Sequence, residues 1–161
     1  MGFFEILFGK RHFTHFDDAY ALTREALWNS LQSTLESDRY ADKPVWLVCH
    51  FFDTFTWLQD RLDARLMQYE VETSLIDAKR FSYDSKLAKN GIRLVLANTL
   101  VSAEDGPNPA VDFERSLAII VLERHPVIEH DLRIEKIARS LPVRVEYGHY
   151  LSLDDSVVRL V

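Results

Sequence analysis

Apolar runs and amphipathic stripes alternate along the chain. Val45–Cys49, directly after Pro44, is a short continuous apolar run and predicts a buried strand. Ile92–Ala97, Ser116–Leu122 and Pro142–Tyr147 repeat that signature. Tyr69–Ile76 reads as a further strand with Val71, Thr73 and Leu75 on one face. Between them fall helical patterns. The first spans Asp17–Ser37, where Leu27, Leu31 and Leu35 recur at four-residue steps beside Tyr20 and Trp28, and Thr14 and Asp17 have capping-box spacing. The second starts at an Asp53 or Thr54 cap and carries the stripe Phe55, Leu58, Leu62, Leu66. The third runs from Pro126 to Ser140, with Glu129–Arg133 and Glu135–Arg139 as four-residue charge pairs.

Asp38–Pro44 and Val101–Arg115 read as loops, and Asp77–Lys89 as polar and helical at best, ended by Asn90-Gly91. Ser152 and Asp155 again have capping-box spacing, before the apolar tail Val157–Val161. Strand and helix alternating, with near-continuous apolar strands, predicts an α/β fold of three layers, a mostly parallel sheet with helices on both faces. The expected organisation is an apolar and basic segment over residues 1–16 and one α/β domain over 17–161.

Composition narrows the function classes. The chain has 161 residues, 47% apolar and 27% charged, enough for one domain with its own core. Its net charge is −6, and its 19 Lys and Arg form no cluster, which argues against a nucleic-acid partner. Cys49 is the only cysteine, so no intrachain disulfide forms. No run reaches the ~20 apolar residues of a membrane span, and the N-terminus lacks signal-peptide order, so a cytoplasmic location is expected. Phe3, Phe4, Ile6, Leu7 and Phe8, followed by Lys10 and Arg11, have the character of a membrane-surface anchor in residues 1–11. Packing of these aromatics on the domain is the preferred reading.

Ligands of parallel α/β folds bind beyond the carboxyl ends of the strands, so candidate chemistry belongs there. No glycine-rich phosphate loop is present: Gly9-Lys10 lacks the upstream glycine and the following Ser or Thr. There is no dinucleotide fingerprint and no serine elbow. Cys49 is adjacent to His50, but neighbours on a strand point to opposite faces, and Cys49 reads as core. His50, His125 and His149 each follow a predicted strand, with Glu123 near in sequence. They would hold zinc only if they converged within ~2.0–2.2 Å of one point. Asp17-Asp18 and Asp154-Asp155 fall at expected helix starts, where carboxylates favour the dipole.

One set of motifs carries a family likeness. Glu123-Arg124-His125 directly follows an apolar strand, and Tyr150-Leu151-Ser152-Leu153-Asp154-Asp155 and Arg159 come some twenty-five residues later. Asp77-Ala78-Lys79 follows the second strand, and Asn98-Thr99 follows the third. In this order the segments resemble the second nucleotide-binding domain of the SecA preprotein translocase motor family, over residues 44–161. The resemblance implies a RecA-like, helicase C-terminal-like domain without a P-loop. It also shows what has been lost. Where the family has an R-G-R-A-G-R-like stretch reaching the ATP γ-phosphate, this chain has Glu135 to Ser140, with Lys136 and Arg139 for the glycines. An arginine finger contributes ~10³–10⁵ in rate, and an acid there repels phosphate. The family's G-R-G-T-D-like turn is replaced by Ser102–Gly106.

The resulting expectation is a noncatalytic, degenerate motor-like domain that binds or scaffolds another protein, with no cofactor and no catalytic residues. The candidate interaction surface is Phe51, Phe52, Trp57, Arg124 and His125. The alternative is an enzyme or metal-binding protein using His50, His125 and His149.

Overall fold

The computed structural model describes residues 12–79, 91–101 and 110–154. Nine strands are present among them: β1 (Phe13–His15), β2 (Ala19–Ala21), β3 (Val45–Cys49), β4 (Tyr69–Glu72), β5 (Ile76–Asp77), β6 (Ile92–Leu96), β7 (Leu100–Val101), β8 (Asp112–Val121) and β9 (Val143–Ser152). The helices are α1 (Arg24–Leu35), α2 (Phe52–Ala64) and α3 (Ile128–Ser140). The main sheet is seven-stranded, in the order β1-β9-β8-β3-β6-β4, with β2 also on β9. Every pairing in it is parallel. Strands β5 and β7 form a separate parallel pair.

The central strand β3 has all five residues buried, as a strand covered on both faces must. Alternation divides it: Trp46 and Val48 face one layer, Val45, Leu47 and Cys49 the other. The first layer is closed by Ile134, Ile137 and Ala138 of α3. The second is closed by Leu27, Trp28 and Leu31 of α1 and Phe55, Leu58 and Leu62 of α2. Each large side chain so buried contributes ~1.5–3 kcal/mol of transfer free energy. The three-layer, parallel architecture expected of a RecA-like domain is therefore present.

Several local expectations are corrected. The first helix starts at Arg24, not Asp17, and its cap is Thr23, whose Oγ1 accepts from Ala26 N at 3.1 Å. Residues 13–21, expected as the end of the N-terminal segment and the first turn of the helix, add two short strands beside β9 instead, so residues 13–15 pair into the sheet. Phe16 lies against Gly148, where a Cβ would run into the Phe16 ring, so any larger residue there must displace that ring. Asp53 and Thr54 do not cap α2, whose N-cap is Phe51. Leu66 has φ 53° past the end of α2 and is 91% exposed, so the apolar stripe stops at Leu62. The strand expected over Tyr69–Ile76 breaks after Glu72, and Val71 and Leu75 are exposed. Strand β8 begins at Asp112, inside the expected loop. Arg133 donates to the carbonyls of Ala97 and Leu100 (2.6 and 3.2 Å), whereas Glu135 and Arg139 pair at 2.6 Å as expected. No helix among the described residues is long and apolar enough to cross a membrane. The expectations for residues 1–11, for Ser102–Gly106, and for Asp155, Arg159 and the tail lie outside the described residues.

Candidate functional site at the carboxyl edge of the sheet

Strands β3 and β8 are neighbours, but the helices that follow them pack on opposite faces. The crevice between their carboxyl ends is thus the switch point of the sheet, where parallel α/β folds take ligands. It opens onto the start of α2, whose first N–H groups have no partner within the helix. In nucleotide-binding folds an anion sits at such a terminus.

Here the chain supplies that anion itself. Glu123, just beyond β8, is buried at 3% exposure, and its Oε1 accepts from Phe51 N at 2.9 Å. Its other oxygen accepts from the hydroxyl of Thr54, one turn into α2. Thr54 was read as a cap for its own helix; it instead holds the acid that occupies the helix entrance. Cys49 beneath is fully buried, and burial, with Glu123 nearby, pushes its thiol well above the usual range. It is core, as its strand alternation implied.

A second group of charges lies beyond Glu123. Asp131, on the first turn of α3, accepts from His125 N at 3.1 Å and lies 2.8 Å from His50 Nε2, in poor hydrogen-bond alignment. Arg124 reaches Asp131 at 3.6 Å and Asp18 at 2.7 Å. Asp18 Oδ1 in turn accepts from His149 N and lies 3.1 Å from His149 Nδ1. Asp18 stands where the edge chain leaves the ladder between β1 and β2, so its side chain supplies the acceptor that a continuous strand would have supplied to His149 N–H. It is not a helix cap. Burial raises the Asp18 and Asp131 carboxyls, but the His149 ring and Arg124 at the first, and His50 and the His125 N–H at the second, outweigh it. Both stay below the usual range. Burial, reinforced by Arg124, lowers His149, and burial with His130 lowers His125.

The three predicted histidines do not converge. The rings of His50 and His125 are 5.3 Å apart, and His125 is 4.0 Å from His130. His149 instead meets Tyr147 and His15, with ring centroids 5.2 and 6.2 Å away. Among the described residues, the one three-residue group with metal-ligand spacing is His15, Asp18 and His149, two members of which the sequence pattern had not brought forward as ligands.

Of the proposed contact residues, Phe52 is 66% exposed, and Phe51 is half-buried and stacked on His125 at 5.3 Å. Val127, whose N–H donates to His125 Nδ1, and Ile128 and Leu132 of α3 are exposed as well. Trp57 is half-buried, with Arg24 and Arg61 over its ring at 5.8 and 6.0 Å. Arg124 is engaged by its two acids. An open groove of about 670 Å³ lies off this edge beside α1, bordered by Phe16, Thr34, Arg39 and Tyr150. Its Arg39 is bound to Glu146 at 2.9 Å and its Thr34 to the Tyr150 hydroxyl at 2.7 Å.

No family model matches the chain, and no curated protein does. Among solved structures, it is similar to the C-terminal domain of a possible DNA helicase from Lactobacillus plantarum WCFS1, at 15% identity and a TM-score of 0.49, over 84% of this chain and 72% of that one.

Proposed function

We propose that the protein is a noncatalytic, cytoplasmic, helicase-motor-like domain of degenerate SecA type that binds another protein through the carboxyl edge of its sheet. The observation that carries this reading is Glu123. Its carboxylate takes the Phe51 N–H at the switch point, where a nucleotide phosphate would otherwise be received. A phosphate would have to displace a buried acid and then sit beside Asp131 and Asp18. Arg124, the nearest cation of the motif, is already held by those two acids. The Glu135–Ser140 stretch has one arginine, Arg139, and it is paired to Glu135 rather than offered to a phosphoryl group. The contact surface we assign is Phe51, Phe52 and His125 with the exposed Val127, Ile128 and Leu132 of the α3 start, because apolar side chains left in water gain free energy when a partner covers them.

Enzymatic use of His50, His125 and His149 together is the less supported reading, because His149 belongs to a different neighbourhood from the other two. Melting the protein with millimolar ATP and magnesium tests the main reading. A bound nucleotide at ~100 times its dissociation constant would add ~2.7 kcal/mol of stability, and the expected change is none. A clear rise would overturn it. The double variant Phe52→Ala, Ile128→Ala should keep its fold and lose capture of the partner; retained capture would remove this surface from the proposal.

A further inference from the structure

The geometry points to a binding site for a divalent first-row transition cation, zinc above all, formed by His15, Asp18 and His149, which clasps the first edge strands to the last strand of the sheet. The three side chains come from two distant parts of the chain. His15 ends β1, Asp18 lies between β1 and β2, and His149 lies within β9. The register explains the meeting. His15 pairs with Tyr147, and His149 is two residues further along β9, on the same face.

Ligand atoms of the three lie within 4.8 Å of one another. Asp18 Oδ1 and His149 Nδ1 are 3.1 Å apart. Two ligands of a tetrahedral zinc, each ~2.0–2.1 Å from the ion, stand about 3.3 Å apart, so this pair needs almost no movement. The remaining adjustment falls on His15, which is exposed and can swing onto the ion from solvent. Imidazole and carboxylate together suit zinc and its neighbours better than magnesium or calcium, which prefer oxygen alone.

The surroundings also fit. Without a metal, His149 Nδ1 donates to Asp18 Oδ1; its Nε2, 3.3 Å from the Tyr147 hydroxyl, has there an acceptor for the ring proton once Nδ1 gives its lone pair to the cation. Asp18 Oδ2 is held by Arg124 at 2.7 Å, and Oδ1, which accepts from His149 N at 3.1 Å, has a second lone pair for the cation. Such outer contacts orient metal ligands. The guanidinium opposes an incoming cation, but Asp131 at 3.6 Å on its far side offsets it. With three protein ligands, one zinc position stays open to water.

The test is calorimetric titration of zinc chloride into the EDTA-treated full chain near pH 7.5, with melting temperatures in parallel. One zinc per chain and a raised melting temperature are expected. His15→Ala should weaken binding at least about tenfold, since even outer-shell changes cost that much. The metal-free melting temperature of this variant should match the unmutated protein, because His15 is exposed. Asp18→Asn should weaken binding further. His125→Ala with His130→Ala should leave it unchanged. Absence of saturable binding at micromolar zinc, binding undiminished in His15→Ala, or binding lost in the His125/His130 variant would each overturn the assignment.

Discussion

Glu123 and Asp18 are acids at the same edge of one sheet, each accepting a backbone N–H, yet their surroundings differ. Glu123 is sealed in the crevice between β3 and β8, and its hydrogen bonds come from a main-chain amide and a hydroxyl. Asp18 stands at the sheet margin, shared between a guanidinium and an imidazole. The first arrangement closes a site, because it satisfies the helix entrance with a group that cannot leave. The second is adaptable, because one of its partners, the His149 imidazole, can itself exchange a proton or take a metal.

The largest effect that would break this comparison is at Glu123. Glu123→Ala leaves the Phe51 N–H and the Thr54 hydroxyl without their acceptor in a buried crevice, and should cost about 3 kcal/mol in urea denaturation. The emptied crevice should also gain stabilisation by inorganic phosphate, with none expected for the unmutated protein. A loss below about 1 kcal/mol would show that the acid is not what closes the site.

Asp18→Asn should cost less, about 1–2 kcal/mol, because the Arg124 side chain it abandons is 41% exposed and water replaces part of the pairing. An equal or greater cost than at Glu123 would reverse the ranking of the two regions.

Acid sharpens the contrast further. His149 has a folded pKa below its unfolded value near 6.5, so the unfolded chain binds the extra proton first. The stability held by the neutral ring is complete above about pH 6.5 and declines as pH falls through the folded value. Asp18 and Asp131, also depressed, add a second loss, beginning near their unfolded value of about 3.9. Melting curves from pH 7.5 to 3 should show these two stages, and His149→Gln should reduce the first to the part that His125, also depressed, contributes.

The smallest expected change is Phe52→Ala. Its ring is mostly exposed, so stability should move by less than about 0.5 kcal/mol in the same denaturation assay. A loss of several kcal/mol would make this ring part of the core and withdraw it from the contact surface.

The sequence showed some of this structure and hid the rest, for identifiable reasons. Val45–Cys49 could be read as a buried strand because every residue in it is apolar, and it is one. The third helix ended at Ser140 as its pattern implied, and the Glu135–Arg139 pair formed because its spacing alone brings the two together. The edge strands β1 and β2 were hidden, since three residues each are too few for alternation to register. Thr14 and Asp17 imitated a capping box, while the cap that operates, Thr23, lies nine residues beyond Thr14.

The candidate site follows the same division. That Glu123, Arg124 and His125 follow a strand was visible in the order of the chain, whereas His149, expected just after a strand, lies within β9, which runs on to Ser152. Nothing local placed Asp18 106 residues from Arg124 and 131 from His149 in one cluster, or turned Glu123 toward the entrance of α2. Periodicity and capping act within a few residues, so sequence determined the elements and which faces they bury. Which charged side chains meet at the edge depends on strand order and register, and those are decided only when the whole sheet assembles.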